Sequence, residues 1–110
     1  MRYLLFICTD PSAEPYDADQ DNIESWVSET DSRGIRIFGD RLAEPDQAVT
    51  VRKRSGRVVR TDGPFTETKE WIAGIDVIEC AGLDEAVEVA AKHPMARFGR
   101  IEVRPFWQPS

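Results

Sequence analysis

Residues 2–8, RYLLFIC, form an unbroken apolar run that ends at Asp10-Pro11. Such a run reads as a strand covered on both faces, hence central in its sheet. From Asp19 the spacing changes: Ile23, Trp26, Val27 and Thr30 recur at helical intervals, with Asp19 as the expected N-cap and Gly34 as the stop. The stretch 34–43, GIRIFGDRLA, alternates Ile35 and Ile37 with Arg36 and predicts a strand running into a loop at Glu44-Pro45-Asp46. AVTVRKRSGRVVRTDG then supplies β-rich arms around Ser55-Gly56, a hairpin signal. After it come a strand over 71–80, a helix in LDEAVEVAAKHP with Asp84 as expected N-cap and Pro94 as terminator, and a closing strand over 100–107.

The resulting order is β-α-β-(β-hairpin)-β-α-β, an α+β, ferredoxin-like split βαβ pattern with an extra β-hairpin. Two helices cover one face of such a sheet. The first strand is nevertheless apolar on both faces, with Tyr3, Leu5 and Ile7 on one and Leu4, Phe6 and Cys8 on the other. The simplest cover for the second face is another copy of the chain, which predicts a homodimer packed sheet to sheet.

Length and charge narrow the picture. At 110 residues the chain, 1–110, is expected to be one domain without room for a second core, so any site is shallow or shared with a partner. A net charge of −6 repels phosphate backbones and anionic lipid, which argues against nucleic acid and membrane as partners. The opening apolar run lacks a cleavage signal, and no segment approaches the ~20 apolar residues of a membrane span. A cytoplasmic location is expected. Cys8 and Cys80 have no CxxC spacing and read as buried free thiols.

TDGPFTETKE, residues 61–70, is the densest chemical stretch. Asp62 before Gly63-Pro64 suits an Asx-type turn, in which the carboxylate accepts backbone N–H groups. A carboxylate at the mouth of a cleft between subunits would equally serve as a general base. Thr66, Glu67, Thr68, Lys69 and Glu70 crowd around it beyond the needs of a turn. His93 is the only histidine. Either it sits as an imidazolium favoured by the helix C-terminus, or it works as an acid/base group with Asp62 as orienter.

On the last strand Ile101 and Val103 alternate with Glu102 and Arg104, so the charged pair is expected to face the dimer cleft, with Asp76 also directed there. Glu102 and Arg104 form a structural ion pair, or Arg104 clamps a small anionic ligand. Phe65 and Trp71 would supply apolar walls. A lone histidine with scattered carboxylates has no metal-ligand spacing, and no phosphate loop or nucleophile elbow is present, so neither a metal nor a cofactor is expected. The basic stretch 52–60, RKRSGRVVR, places Arg52 and Arg54 on one side and Lys53 on the other, and no RNA-binding string accompanies it. It reads as a solvated hairpin, or one facing an acidic surface on a partner protein or the other subunit.

MRYLLFI, GDRLAEPDQAVTVR, TDGPFTETKEWIAG and HPMARFGRIEVRPF, taken in order across nearly the whole chain, resemble the DGPF subgroup of the YCII-related proteins. The resemblance implies a ferredoxin-like fold paired as a dimeric α/β barrel. Some members hold a His and an Asp in the cleft, the His near the first helix and the Asp in a DP step after the second, and a few act on chlorinated hydroxylated aromatic rings. Here the first helix region has no histidine and the later step reads His93-Pro94. The resemblance also implies association with extracytoplasmic-function sigma factors. Three readings stay open. One is a cofactor-independent enzyme moving protons on a small polar or aromatic compound, with Asp62 as base and Arg104 or Lys69 stabilising the oxyanion. The others are a non-catalytic module for a small-molecule ligand or a sigma factor, and a structural dimer.

Overall fold

A computed structural model describes residues 1–63 and 70–109. The elements run β1 (Arg2–Cys8), α1 (Ile23–Ser32), β2 (Arg36–Arg41), β3 (Val49–Arg54), β4 (Arg57–Asp62), β5 (Ile72–Glu79), α2 (Leu83–Ala91), α3 (Met95–Phe98) and β6 (Arg100–Pro105). The main sheet has the order β2-β5-β1-β6, and every adjacent pair is antiparallel. The unbroken apolar run therefore lies inside the sheet, and β1-α1-β2 straddles β5, as a split βαβ requires.

The strand pleat sorts the side chains into two layers. Tyr3, Leu5 and Ile7 join Ile78, Trp26, Ile35, Cys80, Ala86, Val89 and Ala90 in the core between sheet and helices. Leu5 and Ile78 are fully buried, each stabilising the fold by about 1.5–3 kcal/mol relative to exposure. Trp26 ties α1 to α2, its indole N–H donating to the Val89 carbonyl at 2.9 Å. On the outer face the register sets Leu4 beside Val77 and Arg104, and Phe6 beside Ile75 and Glu102.

Two caps differ from expectation. The N-cap of α1 is Asn22, and Asp19 belongs to a preceding 3-10 turn, Ala18–Gln20, where its N–H is held by Asp17. Helix α2 starts from Gly82, with Asp84 inside the first turn, where the helix dipole favours a carboxylate. Several carboxylates compete for the same orphan N–H groups in each region, and spacing alone does not rank them.

Strands β3 and β4 form a sheet of their own. Ser55 (φ 51°) and Gly56 (φ 76°) both adopt left-handed backbone, the twist a two-residue hairpin turn needs. Both cysteines are buried and free, as expected. Among the described residues no helix is long and apolar enough to cross a membrane.

Candidate functional site

A pocket of about 550 Å³ opens on the helix side of the sheet. Ile7, Val27 and Met95 are among its apolar walls, while Tyr16, Asp21, Arg36, Asp40, Arg41, Asp76 and His93 supply its polar groups. These residues come from β1, β2, β5, α1 and the approach to it, the joint between α2 and α3, and the first residue of α3, so no single segment encodes the site.

His93 sits just past α2, and Pro94 caps α3. Its Nδ1 accepts the Met95 backbone N–H at 3.0 Å, and its ring meets Trp26 edge-on at 4.6 Å. Burial pushes its pKa down to about 4; Arg36 adds to that and Asp21 opposes it. The ring is thus neutral near pH 7, against the expectation of an imidazolium supported by the helix C-terminus. With Nδ1 accepting, the proton of the neutral ring lies on Nε2. Among the described residues that nitrogen has no hydrogen-bond partner, yet no buried side-chain nitrogen or oxygen lacks one. Nε2 therefore reaches open space, and the space this ring lines is the pocket.

Asp76 corrects an expectation of side. Its register with Leu5 places it on the helix face, away from the outer cleft, and it is 6% exposed. Arg36 Nε donates to Asp76 Oδ1 at 2.9 Å, while its Nη2 donates to the Gly39 carbonyl at 2.9 Å. Burial drives the Asp76 carboxyl upward, and the Arg36 guanidinium offsets only part of that. Asp21 accepts the Tyr16 hydroxyl at 2.6 Å and the Ile23 N–H at 3.1 Å, which fastens Tyr16 to the start of α1.

The residues singled out from the sequence fall in three places. Glu102 and Arg104 lie on the outer face, paired at 2.5 Å, with the guanidinium over the Phe6 ring. Glu70 pairs with Arg100 at 2.9 Å, and Arg100 shares that outer face through its register with Cys8. Asp62 closes β4 opposite Val49 and is exposed, while Gly63 (φ 98°) turns the chain and donates to Ala48 at 2.7 Å. Phe65 and Lys69, with the rest of the motif core, lie outside the described residues.

Among the described residues no hydrogen bond joins Asp62 to His93, whose Nδ1 accepts from the Met95 N–H. Sequence reasoning missed Tyr16, Asp21 and Arg36. The one local signal for the site was His93 as the only histidine of the chain. Among the described residues, no group of three or more His, Cys, Asp or Glu is arranged to hold a metal ion.

Comparison with known proteins gives two findings. The sequence model of the YCII-related domain matches residues 1–109. An uncharacterised protein of Rhizobium meliloti (strain 1021) is 34% identical, the match covering 79% of this chain and 84% of the relative.

Proposed function

The chain belongs to the YCII-related family, and from that premise we propose that its pocket binds a small polar or aromatic compound and catalyses cofactor-independent proton transfer on it. The observation that carries this reading is His93, a neutral, buried imidazole with Nδ1 held by Met95 and Nε2–H left to the pocket. A neutral imidazole donates a hydrogen bond to a carbonyl or phenol oxygen, and that bond strengthens as negative charge develops there. Asp76 takes the proton, because burial raises the basicity of its carboxylate. The apolar walls of Ile7, Val27 and Met95 suit a ring or short carbon skeleton.

A homodimer accompanies this reading. Leu4, Phe6, Ile75, Val77 and Phe38 share the outer face, and Phe38 is 55% exposed. A second copy would cover that surface.

One observation favours binding without catalysis. All three carboxylates that line the pocket already hold protein donors, Asp76 from Arg36, Asp21 from Tyr16 and Asp40 from the Arg41 backbone N–H. In that form the pocket senses a ligand, and the sigma-factor partnership implied by the family resemblance is its regulatory version.

The test is solvent deuterium incorporation, followed by NMR, into a panel of small ketones and hydroxylated aromatics. Catalysis predicts exchange that falls at least about tenfold in His93→Gln. Absence of exchange throughout the panel, with some compounds still raising the Tm, would leave the binding module standing and remove the enzyme.

A further inference from the structure

The β3–β4 hairpin carries Arg52, Lys53, Arg54, Arg57 and Arg60 in a chain whose net charge is −6. Read strand by strand, Arg52 and Arg54 share a side without Lys53. The cross-strand register changes that picture, because Arg54 faces Arg57 and Arg52 faces Val59. Three arginines thus occupy one face, with Thr50 and Thr61 beside them and no acid among them. Like charges directly opposite in a strand pair are destabilising. Among the described residues none of the five cations makes an ion pair.

An isolated two-stranded hairpin is marginal in water. This one forms its own sheet, with Val51 and Val58 66% and 69% exposed on its other face. The Cα radius of gyration is 16.1 Å, against about 13 Å for a compact domain of this length. The hairpin is built as an arm.

The complementary charge lies in the same chain. Residues 10–32 contain eight carboxylates and no lysine or arginine. Asp17, Asp19 and Glu24 in this segment have no cationic partner among the described residues. Among the described residues no ion pair joins arm and acidic segment within one chain.

We propose that the arginine face of the hairpin docks on the acidic segment 10–31 of a second copy of this chain. The exchange is reciprocal, each copy giving its arm and receiving its partner's, as a two-fold dimer requires. A polyanionic partner fits less well, since the chain outside the hairpin is more acidic still and repels phosphate at long range. Tyr16 and Asp21 belong to the acidic segment and line the pocket, so the docked arm of the partner would border the pocket mouth. The proposal rests on the homodimer reading and adds a contact that sheet pairing does not need.

Sedimentation velocity on the full chain at about 50 and about 500 mM salt tests it, since screening weakens exposed ion pairs. The expected result is a dimer whose Kd rises at least about tenfold between these salts and in the triple variant Arg52→Glu/Arg54→Glu/Arg57→Glu. The reciprocal variant Asp17→Lys/Asp19→Lys/Glu24→Lys should weaken the dimer equally, and an equimolar mixture of the two should restore it. Circular dichroism checks that each variant folds, and the salt series on the unaltered chain reads the contact even where one does not. Salt-independent dimers overturn the proposal, as do reversed variants of unchanged mass. In the latter case, loss of the dimer in Phe38→Asp would leave sheet pairing intact as the sole interface. A chain that stays monomeric removes both readings, and hairpin-dependent binding of a labelled DNA duplex would replace the partner copy with nucleic acid.

Discussion

Arg36 Nε donates to Asp76 Oδ1 at 2.9 Å across 40 residues of sequence, joining the edge strand β2 to the central strand β5 beneath the pocket. The Arg36 side chain is 19% exposed and that of Asp76 9%, so water screens the pair little. Removing Arg36 leaves the Asp76 carboxylate without a cationic partner among the described residues, whereas removing Asp76 still leaves Arg36 its ion pair with Asp31 at 3.5 Å. Arg36→Met is expected to cost about 3–5 kcal/mol, Asp76→Leu less, and the double replacement Arg36→Met/Asp76→Leu distinctly less than the sum of the singles. Urea midpoints of the four proteins in the cycle check this.

Gly39 determines whether that pair can form. A methyl group there would run into Asp76 Oδ1 and the Arg36 guanidinium, and Arg36 also donates to the Gly39 carbonyl. Gly39→Ala is expected to destabilise by about 1–3 kcal/mol through overpacking. The same variant should weaken any ligand-induced rise in Tm, because the displaced groups form the pocket floor.

His93 gives stability a pH dependence of definite sign. Its folded pKa of about 4 lies below the ordinary 6.5, so as pH falls the unfolded chain takes up the proton first. The contribution of the neutral ring is complete above pH 6.5 and is lost progressively as pH falls toward 4. A shift of that size corresponds to about 3 kcal/mol. Urea unfolding from pH 7.5 down to pH 4 should show the decline, and His93→Gln should flatten it across that window.

The thiols should be inert in the folded protein. Burial pushes both Cys8 and Cys80 upward, Arg100 opposing only part of the effect at Cys8 and Glu85 adding to it at Cys80. A colorimetric disulfide reagent at mildly alkaline pH is expected to react at least about tenfold more slowly with the folded protein than with the unfolded chain, where both thiols are free. Rapid labelling of either thiol in the folded state would contradict the burial.

Element order was legible because helix and strand periods are local properties. The apolar run of β1, the 3.6-residue spacing of Trp26 and Thr30, and Ser55-Gly56 at the hairpin each announce themselves within a few residues. The split βαβ order and the two-faced character of β1 followed from those signals together. Element ends were harder to read: Asp17, Asp19 and Asp21 crowd one helix start, and only tertiary contacts, such as Asn22 Nδ2 donating to the Lys92 carbonyl, decide among nearby caps.

The site depended on facts that alternation does not contain. Alternation separates Asp76 and Ile78 from Ile75 and Val77 but leaves both sets without a side until cross-strand register pairs Asp76 with Leu5. Register likewise brings Arg57 opposite Arg54 and makes one arginine face out of charges that look dispersed along the chain. His93 was conspicuous as a lone histidine. Its protonation state came from burial, with Asp21 opposing and Arg36 adding to it, and its tautomer from the Met95 N–H, none of which is spacing along the chain. The sequence by itself determined the family, the order of elements and the two faces of the central strand, because those rest on spacing along the chain. Only the tertiary structure decided which face holds the pocket and which charges meet, because desolvation and hydrogen-bond partners are fixed by neighbours distant in sequence.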